Sequence, residues 1–308
     1  MQDLPLDWLT HPLALALLGL CVGSFLNVVA HRLPIVMERQ WWRDVGQQLA
    51  DGEGYARVFG APAPAASAAT SSALGKALSS LPALSLARPR SRCPACGHVL
   101  AWHENLPLLG WLRLRGKCSA CGSAISPRYP LIELLTALLF AGMGWRFGAQ
   151  PVALLWCGVV AALLALSVID WDTTVLPDSI NQPLLWAGLI AAALGWTLPL
   201  ASALWGALAG YLSLWSVYWA FKLATGKEGM GFGDFKLLAA LGAWLGASMI
   251  VPILLGASVI GALVGIAMKV GGNLREGRYV PFGPFLAGAG LVVMLFGQDV
   301  VLRWIGWA

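Results

Sequence analysis

Eight long apolar stretches constrain this chain more than any other feature. They occupy residues 12–30, 129–145, 151–169, 180–196, 198–221, 237–250, 252–268 and 284–302. Most approach the ~17–25 residues that a helix needs to cross a bilayer. Backbone groups in lipid must be satisfied internally, so runs this long read as helices. A chain that is 58% hydrophobic and only 11% charged is not an ordinary soluble domain. The expected fold is an all-α polytopic membrane protein with about eight transmembrane helices.

The basic residues set the expected orientation. With eight spans, one side receives 31–128, 170–179, 222–236 and 269–283. The short loops of that side hold Lys222, Lys227, Lys236, Lys269, Arg275 and Arg278, against Arg146 and Arg303 opposite. The richer side is expected to be cytoplasmic, which puts both termini in the periplasm. Retention at the cytoplasmic face accounts for the net charge of +5 without a nucleic-acid partner.

The first span reads as a retained helix rather than a cleaved signal, because no Lys or Arg precedes it. Its Gly23-Ser24-Phe25-Leu26-Asn27 suits helix–helix contact, and Cys21 and Cys157 read as packed small hydrophobes. Three parts are expected: residues 1–34 as the first span, 35–128 as a cytoplasmic loop domain, and 129–308 as a seven-helix bundle. Residues 35–49, with Arg39, Trp41, Trp42 and Arg43, suggest an amphipathic interfacial helix. Residues 60–87, rich in Ala, Ser and Pro, read as a flexible insertion. Glu133, barely a turn inside the second span, is a candidate to pair with a basic residue.

The loop domain carries Cys93-x-x-Cys96 and Cys118-x-x-Cys121 with 21 residues between the pairs. This spacing suits a tetrahedral four-cysteine zinc site. Four thiolates leave no open position, so such a zinc is structural. A thioredoxin-like redox pair is the competing reading. His98 and His103 read as surface residues rather than ligands.

The chemistry of the bundle narrows by elimination. All four histidines precede residue 104, which excludes a Ser–His–Asp triad or a Cys–His pair there. What remains are carboxylates: Asp170, Asp172, Asp178, Asp234 and Asp299. Carboxylates at the ends of membrane helices are costly and invite a functional explanation. Asp170 ends one apolar run, and Asp234 stands ahead of another in Gly229-Met230-Gly231-Phe232-Gly233-Asp234-Phe235-Lys236. Two aspartates sharing a proton can split a peptide bond, one taking a proton from water and the other donating to the carbonyl. With a helix expected from about residue 237, the flanking helix ends suggest Asp234 as resting base and Asp170 as resting acid. Gly231 and Gly233 permit close approach and positive φ.

On several motifs in order, the chain resembles the bacterial type IV prepilin peptidases, bifunctional leader peptidases and N-methyltransferases of the GxGD aspartyl protease type. The motifs are Gly23-Ser24-Phe25-Leu26-Asn27-Val28-Val29, the two cysteine pairs, Glu104-Asn105-Leu106-Pro107, Leu114-Arg115-Gly116-Lys117-Cys118 and Arg128-Tyr129-Pro130-Leu131-Ile132-Glu133. Asp170, seven residues before Pro177, and Gly231-Phe232-Gly233-Asp234 complete them. The resemblance implies that Asp170 and Asp234 are catalytic, with Asp172, Asp178, Gly231, Gly233 and Lys236 as supporting members of the motifs. It implies cleavage of the short basic leader of prepilins and secretion pseudopilins at the bacterial inner membrane, with the aspartates near the cytoplasmic face. It further implies methylation of the new N-terminus from S-adenosylmethionine, with Glu104, Arg115 and Gly116 as candidate residues. A proton-coupled transporter using the same aspartates and a zinc-dependent secretion scaffold stay open as readings of other classes.

Overall fold

The computed structural model describes residues 8–148, 150–271 and 280–307. The described residues form twelve α-helices and one short 3₁₀ turn, with two isolated β-bridges. The helices are α1 (Pro12–Ala50), α2 (Gly52–Phe59), α3 (Ala65–Ser80), α4 (Leu109–Arg113), α5 (Arg128–Phe147), α6 (Val152–Thr173) and α7 (Asp178–Ala193). They continue with α8 (Leu200–Thr225), α9 (Phe232–Leu245), α10 (Ile250–Val270), α11 (Gly283–Phe296) and α12 (Gln298–Trp304).

Every one of the eight apolar runs falls on a helix, but not every helix is a full span. Five are long and apolar enough to cross a membrane: α1, α5, α6, α8 and α10 with the 3₁₀ turn before it. The pair α11 and α12, bent by 112°, would make a sixth. Helices α7 and α9, of 16 and 14 residues, fall outside that set. At about 1.5 Å per residue they reach roughly 24 and 21 Å, short of the ~30 Å hydrocarbon layer. Arg275 and Arg278, used above for orientation, lie outside the described residues.

The chain divides into two compact units: Met1–Leu26, Pro107–Leu109 and Ser126–Ala308 form the first, Asn27–Leu106 and Gly110–Ile125 the second. The first is organised around α9, which packs against α7, α8 and α11. Residues 237–245 of α9 are all buried, as an all-round apolar helix in a bundle requires. Helix α8 approaches it backbone to backbone: a Cβ on Gly206 would strike the Gly242 carbonyl, and one on Gly210 the Leu238 carbonyl. Glycines four apart are the means by which two membrane helices close to this distance. The Trp244 indole Nε1 donates to Leu184 O of α7 at 2.8 Å, so the largest buried side chain of α9 carries no orphan donor.

The second unit departs from the sequence reading. No separate interfacial helix covers 35–49; α1 continues unbroken through Pro34 to Ala50. The returning chain is tied to α1 on both sides of Pro34: Arg32 donates to Ser85 O and Leu86 O, and Arg39 to Pro82 O. The stretch 60–87, expected to be flexible, is helical over Ala65–Ser80. Its alanine content gives it strong intrinsic helix propensity, and it packs on α1 through Leu74 against Gly46 and a Ser71 Oγ–Gly46 O bond of 2.8 Å. Cys21 is exposed on α1 rather than packed, whereas Cys157 is buried.

Candidate active site and cysteine cluster

Both aspartates sit on helix ends. Asp170 lies one turn before the end of α6, whose last turn closes through a Thr174 N–H to Asp170 O bond of 2.8 Å, with Thr174 in the left-handed region. Asp234 is the third residue of α9, which starts at Phe232 and not near residue 237 as expected. A carboxylate in the first turn of a helix is favoured by the helix dipole. Both carboxylates are buried, 5% and 8% exposed. Asp170 Oδ2 accepts the Gly283 N–H at 3.1 Å. Asp234 Oδ1 has no partner among the described residues.

Leu176, in the connection between α6 and α7, joins the two halves of the site. A Cβ on Gly233 would stand 2.8 Å from Leu176 Cβ, and one on Gly283 would stand 3.2 Å from its two methyls and 2.6 Å from Asp170 Oδ2. Leu176 thus fills the space against the residue before Asp234 and against the residue that hydrogen-bonds Asp170. Gly233 is glycine because of this close approach. Gly231 is different: its backbone is extended (φ −82°, ψ 149°) and nothing lies within 4 Å of a Cβ there, so neither expected reason applies to it.

Two ties hold the start of α9 to the start of α7. Lys236 Nζ bridges both oxygens of Asp178 at 2.8 and 2.7 Å, and Asn181 Nδ2 donates to Gly233 O at 3.2 Å. Asp172 pairs bidentately with Arg128 at 2.8 and 2.6 Å, tying the end of α6 to the start of α5. Among the described residues Glu133 pairs with no basic side chain; its Oε2 accepts the Leu108 N–H at 2.7 Å. Asp299 lies on α12, in its first turn.

The four cysteines converge, with their sulfurs all within 4.8 Å of one another. Each pair forms a tight knuckle. The Cys93 N–H meets His98 O and the Gly97 N–H meets Cys93 O; the Cys118 N–H meets Ser123 O and the Gly122 N–H meets Cys118 O. The bridges Arg92–Val99 and Lys117–Ala124 close the two knuckles, and Gly97 and Gly122 take positive φ of 74° and 71° at equivalent places. Cys93–Cys121 and Cys96–Cys118 sulfurs stand 3.8 and 4.0 Å apart. A tetrahedron with metal–sulfur bonds of about 2.3 Å has edges of about 3.8 Å, so the cluster can hold a metal ion. The Ser123 hydroxyl, 3.5 Å from Cys93 and 3.1 Å from Cys121, lowers both thiols, Cys93 to about 6, while the neighbouring sulfurs help to push Cys96 up to about 11. His98 stays outside the cluster and contacts Glu104 at 3.1 Å.

Glu104, Arg115 and Gly116 all lie in the second unit, each with neighbours of its own. The Ser119 hydroxyl, the Ala101 N–H and His98 hold the Glu104 carboxyl down at about 2. Arg115 is exposed with φ 51°, and the Trp111 ring covers Gly116. A groove of about 410 Å³ in the same unit is lined by Trp42, Arg43, Gly46, Gln47, Leu74 and Leu78 among others, and by none of these three.

Sequence comparison agrees with the geometry. The profile of the Bacterial Peptidase A24 N-terminal domain matches residues 17–147, and that of the Type IV leader peptidase family matches 157–266. A prepilin leader peptidase/N-methyltransferase of Stutzerimonas stutzeri is 47% identical over 99% of both chains. The protein of the same name from Pseudomonas aeruginosa is 46% identical over 98% of both. The chain belongs to the type IV leader peptidase family. A further relative of that name, from Burkholderia pseudomallei, is 48% identical over 92% of this chain and 85% of its own. No solved structure matches.

Asp170 and Asp234 fall within the stretch matched to this peptidase family, and the cysteines within the N-terminal match. Gly283 lies beyond both matched stretches, 113 residues from its partner Asp170. Sequence reasoning missed Gly283, Leu176 and Asn181, none of which carries a motif of its own. The knuckle repeat was visible as Cys-Pro-Ala-Cys-Gly against Cys-Ser-Ala-Cys-Gly.

Proposed function

We propose that the chain removes the short basic leader of type IV prepilins and type II secretion pseudopilins, with Asp170 and Asp234 as its acid–base pair. The observation that carries this reading is the burial of two carboxylates on α6 and α9, beside Gly283 and Gly233, which both pack on Leu176. A water between them loses a proton to the ionised carboxylate while the protonated one donates to the scissile carbonyl oxygen. Collapse of the tetrahedral intermediate then passes a proton to the leaving amine. The helix dipoles favour Asp234 as the resting base, although the proton belongs to the pair. Asp178, Lys236, Gly233 and Asp172 act by holding the helix ends that carry these groups.

The same reading, in which α7 and α9 cross as short helices so that all eight runs alternate, has the enzyme in the bacterial inner membrane, termini in the periplasm and the aspartates near the cytoplasmic face, on the strength of the lysine and arginine distribution. Cys93, Cys96, Cys118 and Cys121 hold a structural zinc whose role is to cross-link the two knuckles. The relatives' name supports a second activity, methylation of the new N-terminus from S-adenosylmethionine, for which Glu104, Arg115 and Gly116 are the residues to test.

The deciding experiment is leader cleavage of a purified prepilin in detergent micelles by wild type, Asp170→Asn and Asp234→Asn. Cleavage is expected to be lost in both variants with folding unchanged. Full cleavage by either variant removes that residue from the mechanism. No cleavage by wild type, with proton flux in liposomes, favours the transporter.

A further inference from the structure

Asn181 is completely buried in the first turns of α7, yet only half of its amide is used. Its Nδ2 donates to Gly233 O at 3.2 Å, which fixes which end of the amide faces α9, since a carbonyl needs a donor. Its Oδ1 is buried with no partner among the described residues. A buried amide oxygen left unpaired is destabilising, and asparagine is a mediocre helix former. An apolar residue of similar size would serve the packing of α7 against α9 better. An asparagine at this place calls for a reason other than stability.

The atom it grips supplies that reason. Gly233 O belongs to the peptide that joins Gly233 to Asp234, at the first turn of α9. Leu176 presses on Gly233, and the Lys236–Asp178 pair lies one turn further along. Of these three restraints, only the Asn181 bond is a hydrogen bond to the peptide that joins Gly233 to Asp234. Lys236 and Asp178 are partly exposed, 29% and 58%, so their pair is softened by solvent, whereas the Asn181 residue that makes the other bond is fully buried.

We infer that Asn181 is a positioning residue for Asp234: through Gly233 O it sets the direction in which the Asp234 carboxylate leaves α9. This rests on the peptidase reading above, in which Asp234 touches the reacting atoms and Asn181 does not. A carboxylate aimed wrongly by a fraction of an ångström loses its alignment with water and with the scissile carbonyl, while the substrate's own binding contacts are untouched. The signature is therefore a fall in kcat at constant KM.

The test compares Asn181→Leu, Asn181→Asp and Asp234→Asn with wild type in prepilin cleavage, with Tm measured in the same detergent. Asn181→Leu is expected to keep or raise Tm, to lower kcat by about tenfold or more, and to leave KM within about twofold. Its pH–rate profile is expected to shift, because the environment of one member of the pair has moved. Asn181→Asp keeps the size and replaces the donor by an acceptor, so it is expected to lose kcat as well; it decides the matter if the leucine variant does not fold. Full activity of either variant overturns the inference, and so does a kcat loss that merely follows a lower Tm. Cleavage by Asp234→Asn would sink the peptidase reading itself. An inactive Asp234→Asn beside a fully active Asn181→Leu would sink only the role given to Asn181.

Discussion

A methyl group at position 233 has nowhere to go, because Leu176 Cβ lies 2.8 Å from where it would stand. Backbone or Leu176 must shift, and either movement disturbs Asp234 in the same turn. Gly233→Ala is expected to lower prepilin cleavage by about tenfold or more, and adding Leu176→Gly, which removes the Cβ it meets, to restore part of it. Gly231→Ala, with open space at its Cβ, is expected to stay within about twofold of wild type. Equal losses from the two glycine variants in a cleavage assay would refute this account of the motif. Here the sequence was half informative. It singled out both glycines and both aspartates, because a carboxylate at the end of an apolar run stands out against its surroundings. It could not separate the glycines, since the difference lies in a leucine 57 positions away in the chain. Gly283 was invisible for the same reason: its contribution is a backbone N–H, which every residue but proline carries.

Element lengths were less legible than element existence. The apolar runs marked every helix of the bundle, but α7 and α9 are shorter than full spans. Hydropathy reports what surrounds a segment, and α9 is apolar because other helices enclose it rather than because it faces lipid. The alanine-rich stretch over α3 shows the converse: composition lacking charge suggested a flexible insertion, whereas alanine favours helix and Ser71 ties it to α1. The register between α7 and α9 depends on Lys236 and Asp178, whose partly exposed pair contributes at most about 1 kcal/mol to stability. Lys236→Gln is accordingly expected to leave Tm within a few degrees, while lowering kcat by moving the first turn of α9. The exchange Asp178→Lys with Lys236→Asp is expected to recover activity that either single change loses. A double variant no better than the worse single one, in the same kinetic assay, would show that the pair does not set this register.

At the scale of the whole chain, the two units are held by different physics. The first buries apolar side chains around α9 and needs no metal for that. Between residues 91 and 125 the second has few buried residues, namely Cys93, Gly110, Gly116 and Cys118, and only the two cysteines bury a side chain. So small a core does not fold by hydrophobic burial alone, and segments of this kind depend on a metal or a disulfide. The cysteine pairs made this legible from sequence, since two such pairs 21 residues apart have little other structural use. The partner of each knuckle, and the serine that serves Cys93 and Cys121 together, emerge only when the chain is folded. Purified protein is expected to carry about one zinc per chain. A strong chelator, or Cys96→Ser, is expected to abolish amide-exchange protection across 91–125 while α5 to α11 keep theirs. In apo zinc fingers, loss of the metal removes the fold, because metal binding supplies the folding free energy. Protection that survives metal removal would mean that the knuckles stand on their hydrogen bonds alone. Protection lost from α9 at the same time would mean that the bundle draws on the metal as well, against the separation of the two units described above.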